Sequence, residues 1–160
     1  MRCVIQRSGP ARVTVDGRQV GAIERGLVVL AAFAPGDTER ELQWMAHKLP
    51  ALRIFADADR KMNLSLREVG GAILLVSQFT LYSECQRGHR PGFTGSAPPA
   101  QAADLYERFS GLLRQQWPAV SEGEFGAMMQ LELTNEGPVT LIIDREATPT
   151  HTGAPAGEEQ

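Results

Sequence analysis

AILLVSQFTLY, residues 72–82, carries the reading of the fold. Ala72 to Val76 are all apolar, with none of the alternation that a half-solvated strand shows. Such a run marks a strand covered on both faces, the pattern of parallel sheets with helices packed on them. The run is preceded by Gly70-Gly71 and turns polar at Ser77 and Gln78; we read the strand as residues 72–79. LVVLAAF, residues 27–33, repeats the pattern. Between the two runs lies a helix signal. Thr38 and Glu41 stand at capping-box spacing. Leu42, Met45, Ala46 and Leu49 then recur on one helical face, and Pro50 marks the end or a kink.

Working outward, residues 2–6 and 11–15 read as strands flanking a turn at Ser8-Gly9-Pro10. Asp16-Gly17 reads as a hairpin turn into a strand over 19–23. Arg53 to Phe55 reads as a short strand and residues 57–67 as polar, turn-rich chain. Residues 83–97 form a long loop. Ser96 and Pro98-Pro99 announce a second helix, with Leu105, Phe109, Leu112 and Leu113 on its apolar stripe and Pro118 at its close. Strands follow over 120–125, 128–134 and 139–144, the last two separated by Asn135-Glu136-Gly137-Pro138. The order strands, helix, strands, helix, strands predicts an α/β fold, a compact single domain of two β-sheets with a helical layer over one side.

The chain of 160 residues fits one domain. We place that domain at residues 1–145. The stretch 146–160 lacks large apolar residues, so it is expected to be a disordered acidic tail. The formal charge of −3 comes from that tail: without Glu146, Glu158 and Glu159 the chain has 16 basic and 16 acidic residues. A neutral body excludes extensive charge-driven binding along a nucleic acid but not recognition of one end. The longest uncharged apolar stretch, Gly26 to Pro35, is about half of the ~20 residues a membrane-spanning helix needs. No signal-peptide pattern opens the sequence, and a cytoplasmic location is expected. Cys3 and Cys85 lie far apart, and the three histidines stand alone, so neither a disulfide framework nor a metal site is expected.

The usual catalytic signatures are missing, including the nucleophile elbow and the phosphate-binding loop. Any chemistry must therefore use few side chains. Ser77, Gln78, Phe79 and Thr80 stand where a buried strand turns polar, the place where open α/β sheets bind ligands. Freed backbone N–H groups there could hold an oxyanion, although the same residues also fit an ordinary strand end. Gly137-Pro138 fits a plain hairpin turn on residue type alone. The loop RGHRPGF, residues 87–93, offers Arg87, His89, Arg90 and the ring of Phe93 with no acid among them. That set suits phosphate contacts and base stacking, or equally a solvated basic loop.

Taken together, these segments resemble the D-aminoacyl-tRNA deacylase family of the bacterial and eukaryotic type. The carrying motifs are SQFTLY at 77–82 and NEGPVT at 135–140. Supporting them are IQR at 5–7, RIFAD at 53–57, KMNLSL at 61–66, RPGFTGSAPP at 90–99 and FGAMMQ at 125–130. The resemblance covers residues 1–144. It implies hydrolysis of the ester between a D-amino acid, or glycine, and the 3′-terminal adenosine of tRNA, by a homodimer that uses no cofactor. It assigns catalysis to Ser77, Gln78, Phe79 and Thr80. It makes Gly137 and Pro138, joined by a cis bond and reaching into the partner's site, a wall that rejects L-residues. Arg7 helps hold that wall, and Phe125, Ala127 and Met129 complete the substrate-binding set. Arg87, Arg90 and Phe93 would contact the tRNA.

The nucleophile stays open between the Thr80 hydroxyl, for which no base is visible in the sequence, and a water oriented by the ribose 2′-OH. Two residues depart from the family pattern. Met128 stands where an acid is common, and Gly92 where a serine is. The competing readings are a non-catalytic RNA-binding homodimer and a small ester hydrolase acting on free metabolites.

Overall fold

The computed structural model describes residues 1–147; the expected tail therefore lies, beyond Ala147, outside the described residues. The chain opens with strand β1 (Arg2–Val15), turns at Asp16-Gly17 into β2 (Arg18–Ile23), and continues into β3 (Gly26–Ala32). Asp16 and Gly17 have φ of 50° and 75°, the left-handed pair that the hairpin turn requires. Helix α1 (Glu39–Ala51) follows, then the short strands β4 (Phe55–Ala56) and β5 (Met62–Leu64) and a single helical turn α2 (Leu66–Val69). β6 (Ala72–Ser77) leads into a 3-10 turn (Phe79–Tyr82). Helix α3 (Pro99–Gln116), β7 (Val120–Glu122) and β8 (Met129–Asp144) complete the order.

The main sheet runs β2-β1-β3-β6-β7, with β8 along the other edge of β1; β4 and β5 form a separate two-stranded sheet. β1 is antiparallel to β2, β3 and β8, whereas β3, β6 and β7 are mutually parallel. The first half of β1 pairs with β3 and its second half with β2. β1 and β8 thus belong to two sheet halves, and the side chains sort accordingly. Cys3, Ile5, Leu27, Val29, Ile73 and Leu75 pack against α1 and α3 in one core. Ala11, Val13, Ile23, Val28, Leu74 and Val76 form a second core between the sheet halves. The expected two sheets and helical layer are present, with the sheets joined by shared strands. Gly21 lets β2 close on β7: a Cβ there would stand 2.3 Å from the Glu122 carbonyl oxygen.

Several elements differ in detail from the sequence reading. Ser8-Gly9-Pro10 is part of β1 and not a turn. Pro10 is tolerated because the β1–β8 ladder is irregular there, stepping from Ser8↔Asn135 to Ala11↔Leu133. Residues 129–134 and 139–144 likewise belong to one strand, with Met128 just before it. Between Gln6↔Thr140 and Ser8↔Asn135 the surplus residues of β8 are pushed out of the ladder. The polar stretch 57–67 contains β5 and the start of α2. β6 ends at Ser77, two residues early, because the Gln78 N–H makes a final bond to the Ala31 carbonyl at 2.8 Å and the chain then coils.

In α1 the Glu41 carboxylate accepts from the Thr38 amide at 2.9 Å and the Thr38 hydroxyl at 2.5 Å. The Met1 amino group is buried against the Asp37 carboxylate at 2.5 Å. Among the described residues no helix is long and apolar enough to cross a membrane.

Candidate active site

The parallel strands β3 and β6 end side by side, with Ala31 opposite Ser77. Beyond their carboxyl ends lies a cavity of about 850 Å3. Its floor is Ala31, Ala32, Val76, Ser77 and Gln78. One wall is Phe93 with Ser96 to Pro99, where the long loop runs into α3. The opposite wall is residues 125–129, which lead into β8. The cavity gathers Ser77, Gln78, Phe79, Phe93, Phe125, Ala127 and Met129 from the sequence-predicted set; Thr80 follows Phe79 in the chain but is not itself a lining residue. Among the described residues none of its lining side chains is ionisable. The lining of this chain thus offers hydroxyls, an amide and the backbone for chemistry, and no carboxylate, imidazole or amine for proton transfer.

The 3-10 turn supplies backbone donors. The Leu81 N–H donates to the Gln78 carbonyl at 3.2 Å, and the Ser83 N–H to the Thr80 carbonyl at 3.0 Å. The amides of Phe79 and Thr80, first in the turn, have no acceptor among the described residues. Two adjacent unpaired N–H groups at a cavity are the parts of an oxyanion site. The Gln78 side-chain amide donates to the Thr80 hydroxyl oxygen at 2.5 Å. An amide takes up no proton, so this contact orients the hydroxyl without activating it.

The aromatic rim is fixed by edge contacts. Phe79 and Phe93 meet at 5.2 Å between ring centroids, and Phe125 leans on Tyr106 of α3 at 5.5 Å. Tyr106 is itself held by its hydroxyl, which donates to the Leu75 carbonyl at 3.2 Å. Met128 is 88% exposed at the mouth. Behind this wall, Glu122 accepts from Ser110 and pairs with Arg114 at 2.5 Å; burial raises its carboxyl above the ordinary carboxylate value. Neither cysteine lines the cavity. Cys3 is buried, and its thiol is pushed up to about 12 by burial.

Gly137, Pro138 and Arg7 do not line this cavity. They form a second constellation on the surface. The Gly137–Pro138 peptide is cis, and both residues are exposed. Asn135 closes the base of the pushed-out loop: its carbonyl oxygen accepts from the Val139 N–H at 2.8 Å, and its amide donates to the Thr140 hydroxyl at 2.9 Å. Arg7 braces the loop from below, donating to the Glu136 carbonyl at 3.0 Å and to the Ile54 carbonyl at 2.6 Å. Arg87 and Arg90 are exposed on the 83–97 loop, outside the cavity lining, on a segment pinched by an antiparallel bridge between Glu84 and Gly92. Sequence reasoning did not foresee Ser96 in the site, nor Ala31 to Phe33; the apolar end of β3 was itself the signal for the latter.

Residues 4–144 match the family described as D-Tyr-tRNA(Tyr) deacylase. The chain belongs to this family. It is 53% identical over 144 residues to the D-aminoacyl-tRNA deacylase of Desulfatibacillum aliphaticivorans, covering 90% of this chain and 99% of that one. It is also 53% identical over 149 residues to that of Thermus aquaticus, covering 93% and 98%. Among solved structures, the c-Myc DNA unwinding element binding protein superposes with a TM-score of 0.85 at 39% identity, covering 92% of this chain and all of the other. A structure described as a "probable eukaryotic D-amino acid tRNA deacylase" has the same fold, with a TM-score of 0.79 at 22% identity over 90% of this chain and 98% of that one. The relatives are thus matched over nearly their full length, and the cavity and the braced loop both lie inside the matched span.

Proposed function

We propose that this deacylase-family chain hydrolyses the ester between a D-amino acid and the 3′-terminal adenosine of tRNA, releasing the free amino acid and the tRNA. The observation that carries the reading is the pair of unpaired amides at Phe79 and Thr80 in the SQFTLY motif, on a turn whose first residue lines a cavity with no ionisable side chain among the described residues. The ester carbonyl oxygen accepts from the Phe79 and Thr80 N–H groups, which stabilise the negative charge of the tetrahedral intermediate. Water adds to the carbonyl carbon, the bond to the ribose 3′-oxygen breaks, and the proton lost by the water ends on that oxygen. With no resident base, the adjacent ribose 2′-OH orients the water. Thr80 is then a binding group and not the nucleophile.

Selection by chirality is assigned to Gly137 and Pro138. They are exposed on their own subunit and outside its cavity lining, which fits a loop that enters a partner's site in a homodimer. Main-chain carbonyls have no rotamers with which to yield. An L-side chain meets them, whereas a D-residue places only a hydrogen there. Glycine lacks a side chain to reject, so glycyl-tRNA is a substrate as well. Arg87, Arg90 and Phe93 contact the RNA beyond the adenosine, and the reaction belongs in the cytoplasm with charged tRNA.

The likeness to a structure named for DNA binding favours one second reading, a nucleic-acid-binding dimer without catalysis. Purified protein is given D-Tyr-tRNA, D-tyrosine ethyl ester and uncharged tRNA. The proposed function predicts ester loss from the tRNA alone. Binding of tRNA without ester loss would support the second reading, and equal cleavage of the simple ester would point to a small-molecule esterase.

A further inference from the structure

The turn that carries Phe79 and Thr80 is four residues long. A 3-10 segment of that length has poor internal hydrogen bonding and does not hold its own direction. Two of its carbonyls are taken by side chains distant in sequence. The Ser96 hydroxyl donates to the Phe79 carbonyl at 2.7 Å. The Arg2 guanidinium donates from Nη1 to the Leu81 carbonyl at 2.9 Å. Arg2 is in turn fixed by Asp144, with Nε on Oδ1 at 2.6 Å and Nη2 on Oδ2 at 3.2 Å, and it lies over the Tyr82 ring at 5.2 Å. A two-point carboxylate contact leaves the guanidinium plane little freedom. The turn is therefore gripped at both ends, from the chain leading into α3 through Ser96 and from the paired termini of β1 and β8 through Arg2.

We infer that Arg2 and Ser96 are positioning residues for the reaction, holding the 79–82 turn at the angle at which the Phe79 and Thr80 amides meet the ester carbonyl. The inference rests on the proposed oxyanion role of those amides. Arg2 stands outside the cavity lining, and Ser96, which lines it, has its hydroxyl committed to the Phe79 carbonyl. Their carbonyl partners lie one residue to either side of Thr80, so a rocking motion of the turn would move both amides together. A misplacement of about 1 Å in such a site can cost ~100-fold in rate.

The test uses Arg2→Ala, Ser96→Ala and the conservative Arg2→Lys and Ser96→Thr. Each is assayed for kcat and KM on D-Tyr-tRNA, for thermal midpoint, and for amide hydrogen exchange in the segment 77–83. Either alanine variant should lower kcat by roughly tenfold or more, keep KM within about twofold, and speed exchange in that segment while other segments keep their rates. Ser96→Thr, which retains the hydroxyl, should recover most of kcat; Arg2→Lys, with a single point charge in place of a fork, should recover little. Unchanged kcat and exchange would overturn the inference, as would a rise in KM alone. If Arg2→Ala fails to fold, the Ser96 pair decides. A wild-type protein inert on D-Tyr-tRNA would instead sink the deacylase reading, with the exchange data still reporting whether the clamp exists.

Discussion

Arg7 of β1 donates from Nε to the main-chain carbonyl of Glu136 at 3.0 Å. Its Nη1 simultaneously reaches the Ile54 carbonyl at 2.6 Å, so one side chain ties the Gly137–Pro138 loop to the chain between α1 and β4. Hydrogen bonds from a charged donor contribute about 1.5–3 kcal/mol. Arg7→Ala should therefore loosen the loop, with the preference for D- over L-aminoacyl-tRNA falling at least ~10-fold. Arg7→Lys should behave similarly, because an ammonium cannot serve both carbonyls in the guanidinium's planar geometry. Initial rates on the two enantiomeric esters check both variants.

Gly137 has φ of +129°, a conformation that L-residues rarely adopt, and a Cβ there would stand 2.8 Å from Nη2 of Arg7. Gly137→Ala should cost about 1–3 kcal/mol locally and push Arg7 off its carbonyls. The expected result is a loss of chiral preference at least as large as that of Arg7→Ala. An alanine variant with wild-type selectivity would show that the loop tolerates the displacement.

The Thr80 hydroxyl receives a hydrogen bond from the Gln78 amide at 2.5 Å, and among the described residues no ionisable side chain lines the adjoining cavity. Thr80→Ala should accordingly retain measurable deacylation, reduced by no more than about 10–100-fold, as for loss of an orienting contact. Complete loss of turnover with intact tRNA binding would return the nucleophile's role to the side chain.

Glu41 supplies a pH prediction for the fold. Burial alone would raise its carboxyl, but hydrogen bonds from the Thr38 hydroxyl and amide outweigh burial and hold it below the ordinary carboxylate range. The stability it contributes is present above the unfolded value and lost as pH falls through the lowered folded value. Glu41→Gln should cost about 1 kcal/mol near neutral pH. The difference from wild type should shrink below pH ~4, as read by urea unfolding at several pH values.

The legible part of the fold was the part whose residues announce burial or capping. β3 and β6 are buried on both faces, so their apolar runs stood out. Asp16-Gly17 and the Thr38–Glu41 pair have local chemistry that specifies a turn and a helix start. α2 was missed although Ser65 and Glu68 form a second capping box, with the Glu68 carboxylate accepting from the Ser65 amide at 2.7 Å; a four-residue helix has no stripe to confirm it. Ser8-Gly9-Pro10 reads as a turn because glycine and proline usually break strands, whereas here β1 carries one extra residue against β8 and continues as a strand. In the site, the cavity's floor was readable from where β6 turns polar. Its bracing was not: Arg2 meets Leu81 and Ser96 meets Phe79 only after the chain has folded, and neither pair leaves a periodic trace.

The most direct measurement is the ratio of kcat/KM on D-Tyr-tRNA to that on L-Tyr-tRNA, taken with the wild-type protein and the same tRNA. The account predicts rapid ester loss from the D-substrate and a ratio of at least ~100, since a steric clash against a rigid main chain costs several kcal/mol. Equal cleavage of both enantiomers would contradict the Gly137–Pro138 wall, and inertness toward both would contradict hydrolysis at the cavity.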